Sequence, residues 1–149
     1  MNIGELANRV VTFAYRTTPL TDAARLMRQE HIGSLVVVEE TDKGRVPVGI
    51  LTDRDIVVAV VAGEVDPRTL TVGEVMQGEL LTVREEDSVF DALRLMRRRG
   101  IRRVPVVTMT GTLAGIVTID DLLGIVAEQL DDLVRAIAAE QAREARVRK

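Results

Sequence analysis

Residues 49–55 read GILTDRD and residues 115–121 read GIVTIDD. Each phrase sets a glycine and two aliphatic residues before a threonine, with an aspartate three positions later: Thr52 with Asp55, and Thr118 with Asp121. Two chemistries suit that spacing. In one, the phrase caps a helix: the hydroxyl accepts from a backbone N–H of the first turn, and the carboxylate reaches back to the threonine N–H. In the other, the helix start, with unpaired N–H groups and a positive dipole end, holds a phosphate; the hydroxyl donates to it and the carboxylate accepts from a ribose diol. The glycine lets a ligand approach the backbone closely. One copy alone favours the cap, whereas recurrence at matching places favours binding.

The elements that must position these residues are themselves repeated. A shift of 69 lays residues 3–38 on 72–107 without a gap, with 11 identities in 36 positions. Beyond that the offset is 66, because the loop before Gly115 is three residues shorter than the loop before Gly49. A length change confined to a loop is what two copies of one folding unit show. Leu20, Ala23, Ala24 and Met27 in one copy, and Val89, Ala92, Leu93 and Met96 in the other, recur at i, i+3, i+4, i+7 and predict amphipathic helices. Runs rich in β-branched residues follow at 34–39 and 103–108, then a polar turn and a second apolar run ending in the Gly-Ile phrase, which predict two strands. A further helix opens at Thr52 or Thr118, and short strands at 10–12 and 80–82 precede each unit. The fold class is therefore α+β: two β-α-β-β-α repeats packed as a pseudo-twofold pair, since one such unit cannot bury its own apolar face. The expected boundaries are 1–62 for the first repeat, 63–71 for the linker, 72–127 for the second repeat and 128–149 for a C-terminal helical extension.

With these motifs in hand, the chain resembles the cystathionine-β-synthase (CBS) domain family in its tandem, or Bateman, form, over about residues 3–127. The resemblance rests on VGEVM before the second unit (IGELA before the first), the DALRLM helix, the IRRVPVV strand, and GILTDRDI or GIVTIDDL. It implies a regulatory module that binds AMP, ADP or ATP, or else NAD or S-adenosylmethionine, in two clefts between the units. Carried over by position, one cleft combines Thr118, Asp121 and Asp120 with Thr18, Gly33 and Ser34. The other combines Thr52, Arg54 and Asp55 with Asp87, Arg102 and Arg103. Arg102 and Arg103 are expected to make their cleft prefer more phosphate charge, whereas Asp120 adds an acid near the other. With Phe13, Tyr15 and Phe90 as the only aromatics, adenine is expected among aliphatic side chains rather than on a ring.

Composition narrows the alternatives. The formal net charge is −3, which offers no basic footprint for nucleic acid. No cysteine is present, so disulfides, thiol catalysis and common structural zinc sites lack their donors, and no metal or cofactor is expected. The single histidine, His31, reads as a helix end followed by a turn. The longest apolar run, IVVAVVA at 56–62, is far below the roughly 20 residues that span a bilayer and is expected to be a buried helix or an interface. Neither a basic leader nor a long apolar stretch opens the chain, so a cytoplasmic location without a signal peptide is expected. The last helix is expected from Ile119 to about Arg146, with Val126, Leu130, Leu133 and Ile137 along one face and a projecting end suited to a homodimer. The expected function is a non-catalytic sensor that signals to a separate protein. The alternatives are a structural dimerisation module with vestigial clefts, or a nucleotide hydrolase using Asp53, Asp55, Asp120 or Asp121.

Overall fold

Apolar periodicity becomes two eleven-residue helices in the computed structural model, which describes residues 1–148; Lys149, the last residue of the expected extension, lies outside them. The first unit comprises α1 (Ile3–Leu6), β1 (Phe13–Tyr15), α2 (Leu20–Glu30), β2 (Ser34–Thr41), β3 (Gly44–Thr52) and α3 (Asp53–Ile56), the last continued by a π-helical turn at Val57–Val61. After a 3-10 turn at Pro67–Thr69, the second unit follows with α4 (Val72–Val75), β4 (Val83–Arg84), α5 (Val89–Arg99), β5 (Arg103–Val107), β6 (Leu113–Thr118) and α6 (Ile119–Val147). Each unit folds its strands into one three-stranded sheet, ordered β1-β2-β3 and β4-β5-β6. The central strand of each pairs parallel with the first and antiparallel with the third, and Val36 opposite Ile50 is matched by Pro105 opposite Ile116.

Helix α2 buries Leu20, Ala23 and Met27, and α5 buries Val89, Ala92 and Met96. Leu93, expected on that stripe, is 38% exposed. Both helices end in the left-handed region, α5 at Gly100 (φ 64°) and α2 at His31 (φ 56°). That conformation costs an L-residue about 1–2 kcal/mol and costs glycine little. His31→Gly should therefore raise stability by roughly 1 kcal/mol, read as a shifted midpoint in chemical denaturation.

The opening strands form three residues later than expected. Residues 10–12 and 80–82 follow segments that leave their own unit and cross to the other. Asn8 exchanges backbone hydrogen bonds with Ile116 (2.9 and 3.0 Å), and Gln77 exchanges them with Ile50 (3.0 and 3.2 Å). The same exchange recurs one turn earlier, where Gly4 N–H donates to the Glu85 carbonyl and Gly73 N–H to that of Arg16, both at 2.8 Å. The leader helices are thereby swapped. Ile3 of α1 sits in the core of the second unit with Val83, Met96, Val104 and Val117. Val72 of α4 sits in that of the first with Leu20, Leu35, Val37 and Leu51. Neither core closes without the opposite leader.

This exchange also explains Gly49 and Gly115. A Cβ on Gly49 would lie 2.9 Å from the Gln77 carbonyl oxygen, and one on Gly115 2.7 Å from that of Asn8. The close approach expected of a ligand is here made by the crossing backbone. The apolar run at 56–62 is not buried either: Val57, Val58 and Val61 are each more than half exposed. On the outer part of the first sheet, Arg45 lies 3.9 Å over the Phe13 ring and pairs with Glu40 at 2.9 Å. Its hydrogen bond, aided by one from the Tyr15 hydroxyl, holds the Glu40 carboxyl below its ordinary range; the same bond to Glu40 raises Tyr15.

Candidate functional site

Both threonines start helices as their spacing predicts, and both phrases close into complete capping boxes. The Asp55 N–H donates to Thr52 Oγ1 at 3.1 Å while the Thr52 N–H donates to Asp55 Oδ2 at 2.9 Å. The Thr118 and Asp121 pair repeats both bonds at 3.2 Å. Each threonine oxygen is an acceptor here, which leaves its O–H proton available. The aspartates differ. Asp55 Oδ1 accepts from the Gln77 side-chain amide at 2.9 Å, so both oxygens of Asp55 are engaged. The counterpart of Gln77 is Asn8, whose Oδ1 instead accepts from the Val10 N–H at 3.0 Å.

Between the units, where the Gln77 segment crosses to β3, a cleft of about 550 Å³ opens. Its polar wall comes from Thr52, Asp53 and Arg54 on one side and Arg102 and Arg103 on the other; Ile50, Leu80, Leu81 and Ile101 supply the apolar surface, and Gln77, Glu79 and Gly100 complete it. Three guanidinium groups and the carboxylates of Asp53 and Glu79 line it, with Asp55 hydrogen-bonded to Gln77 behind. Arg102 also reaches Asp120 at 3.5 Å, with both side chains more than 70% exposed. Such an exposed pair is worth at most about 1 kcal/mol. The volume falls within the range of roughly 300–1,000 Å³ for small-molecule sites.

The structure thus brings Thr52, Arg54, Arg102 and Arg103 to one cleft, with Asp55 behind Thr52. Asp87 lies elsewhere: its Oδ2 accepts from the Arg84 N–H at 2.9 Å, and it lines a separate hollow with Thr82, Thr108 and Met109. Thr18 is its counterpart, accepting from the Tyr15 N–H at 2.9 Å beside Phe13 and Arg25. Both residues close a strand-to-helix turn. Gly33 and Ser34 border their own helix start, because the Gly33 carbonyl accepts from the Asp53 N–H at 2.9 Å and Ser34 pairs with Thr52. Their counterparts by the repeat offset, Arg102 and Arg103, border the Thr118 helix start in the same way: the Arg102 carbonyl accepts from the Ile119 N–H at 2.8 Å and Arg103 pairs with Thr118. Sequence reasoning did not single out Ile50, Gln77, Glu79, Leu80, Leu81 or Ile101. The leucines read as strand, and the Gln77 contact spans 22 positions.

The repeated fold and its inter-unit cleft agree with a sequence profile described as the CBS domain, which matches residues 3–62 and 72–128. The chain belongs to the CBS domain family. Among its relatives, Hypoxic response protein 1 of Mycobacterium tuberculosis is 34% identical over 139 residues, 93% of this chain and 94% of that protein. An uncharacterized protein of Methanopyrus kandleri is 38% identical over 125 residues, 84% of this chain but only 62% of that longer protein. The crystal structure of Hypoxic Response Protein I with two coordinated zinc ions matches at a TM-score of 0.72 and 35% identity, covering 83% of this chain and 97% of that one. The CBS domain pair of protein MJ0100, in complex with 5′-methylthioadenosine and S-adenosyl-L-methionine, matches at a TM-score of 0.71 and 26% identity, covering 84% and 98%. Zinc does not fit the donors of the present CBS pair. It has no cysteine and one histidine, and among the described residues no three His, Cys, Asp or Glu side chains cluster as a metal site. Among the described residues, no helix is long and apolar enough to cross a membrane.

Proposed function

We propose that this CBS pair is a non-catalytic sensor that binds an adenine nucleotide in the Thr52 cleft and signals its occupancy to a separate protein. The observation that carries this reading is the cleft itself, where an aliphatic surface large enough for a nucleoside adjoins three guanidinium groups. Arginine forks suit phosphate oxygens, so the phosphate-bearing ligands AMP, ADP and ATP are favoured over S-adenosylmethionine, which has none. The ligands named for the MJ0100 pair share the adenosine group and support that class. A second site at Thr118 and Asp121, expected from the repeat, would have Gly33 and Ser34 in place of the arginines and would hold phosphate less strongly. A sensor rather than a hydrolase is supported by the acids themselves: Asp55 is held in its capping box, and Asp53 Oδ1 accepts from the Arg54 N–H. His31 ends a helix.

In this reading the ribose diol competes with the Gln77 amide for Asp55 Oδ1 and displaces it. Ligand entry then breaks a hydrogen bond between the first unit and the leader of the second, which gives binding a mechanical consequence at the unit boundary. Gln77→Ala should tighten ADP or ATP by roughly tenfold, since an exposed bond to a carboxylate is worth about 1.5 kcal/mol. Weaker binding in a titration of that variant would show that Gln77 holds the ligand itself.

The closed capping boxes favour one other reading, a structural module whose clefts bind nothing. Thermal unfolding with AMP, ADP, ATP and S-adenosylmethionine separates the two. A ligand at about 100 times its dissociation constant adds about 2.7 kcal/mol of stability, and no shift with any of them supports the structural reading.

A further inference from the structure

Arg102 faces two ways. It lines the Thr52 cleft with Arg54 and Arg103, and its Nη2 also lies 3.5 Å from Asp120 Oδ1 in the first turn of α6. Its backbone is joined to the same turn, because the Arg102 carbonyl accepts from the Ile119 N–H at 2.8 Å. Side chain and main chain together strap one wall of the cleft to the start of the last helix.

The first unit cannot form the side-chain half of this strap. By the repeat offsets Arg102 corresponds to Gly33 and Asp120 to Arg54, so the second unit has an acid where the first has a cation that lines the cleft. A larger residue at Gly33 would press on the Asp53 carboxylate, whose Oδ2 lies 2.9 Å from where a Cβ would stand. The counterpart of Asp53 is Ile119, which packs against the core and leaves the polar contact to Asp120.

We propose that Asp120 competes with the ligand's phosphate for Arg102, and so lowers the affinity of the Thr52 cleft for nucleotides while leaving that for the bare nucleoside alone. This inference rests on the nucleotide reading of the cleft. A carboxylate and a phosphate held by one guanidinium are like charges well inside a Debye length of about 8 Å, so holding both is unfavourable. Releasing Asp120 costs little: its side chain is 82% exposed, and the positive end of α6 favours an acid there with or without Arg102. Asp120 is therefore a selectivity residue that acts through Arg102.

Asp120→Asn keeps the capping box of Thr118 and Asp121 and should tighten ATP by roughly two- to fivefold in titration calorimetry, as loss of one exposed ion pair allows. Adenosine should bind as before. In an Arg102→Ala background the same substitution should change nothing, because the competition runs through that side chain. Tightening that persists without Arg102 would make Asp120 a repulsive charge at a distance. Unchanged ATP binding in Asp120→Asn would show the carboxylate idle, and weaker binding would show it holding Arg102 ready for phosphate. Each of these three results overturns the competition while the nucleotide reading stands. Failure of the unsubstituted protein to bind ATP overturns both.

Discussion

Removing both guanidinium groups in the Arg102→Ala, Arg103→Ala double variant should weaken ATP binding by roughly 30- to 100-fold, about 2–3 kcal/mol. Both arginines line the cleft opposite Thr52 and Arg54, and each offers a planar fork to a phosphate oxygen. Hydrogen bonds to charged groups contribute about 1.5–3 kcal/mol apiece, but the Arg102 side chain is 73% exposed, which puts its share at the low end through screening. Adenosine, lacking phosphate, should lose little. The comparison is made by titration calorimetry of ATP, AMP and adenosine against both proteins. Equal losses for all three would assign the arginines to packing, by their aliphatic stems, rather than to phosphate.

Ile3→Ala should lower stability by about 2–4 kcal/mol, although chain ends ordinarily tolerate such changes. Ile3 is fully buried, and it is buried in the second unit, against Val83, Met96 and Val104. Its helix is fastened there by the Ile3 N–H to the Asp87 carbonyl and the Gly4 N–H to the Glu85 carbonyl, each 2.8 Å. Truncation therefore leaves a cavity in the second unit's core, which the first unit's leader enters with Ile3, Leu6 and Ala7. In native-state hydrogen exchange, protection should fall in β5 and β6 at least as much as in β2 and β3. Loss confined to β2 and β3 would refute the leader exchange.

What the sequence discloses and what it hides follow from range. The stripes of α2 and α5, the start of α6 at Thr118 and its end near Val147 are set by neighbours three and four positions apart, and period and capping signals report such contacts. The exchanged leaders are another matter. Ile3 and Val72 are single buried residues of four-residue helices, too short to show a period, and their partners lie some 80 positions away or in the other repeat. Gly49 and Gly115 were legible as sites of close approach, but the approaching group is backbone. Within the candidate site, the repeat points to Thr52, while Arg102 and Arg103 follow from the family resemblance by position, and all three line the cleft. Asp87 and Thr18 were assigned by position alone, and their side chains turn to the N–H groups of Arg84 and Tyr15. Gln77 was missed because its bond to Asp55 crosses between units.

Amide chemical-shift changes in the uniformly labelled protein during an ATP titration test the nucleotide reading most directly. Shifts should concentrate at Thr52, Arg54, Gln77, Leu80, Leu81 and residues 101–103, and saturate together with one dissociation constant. An unchanged spectrum at millimolar ATP, or shifts confined to residues outside that cleft, would contradict it.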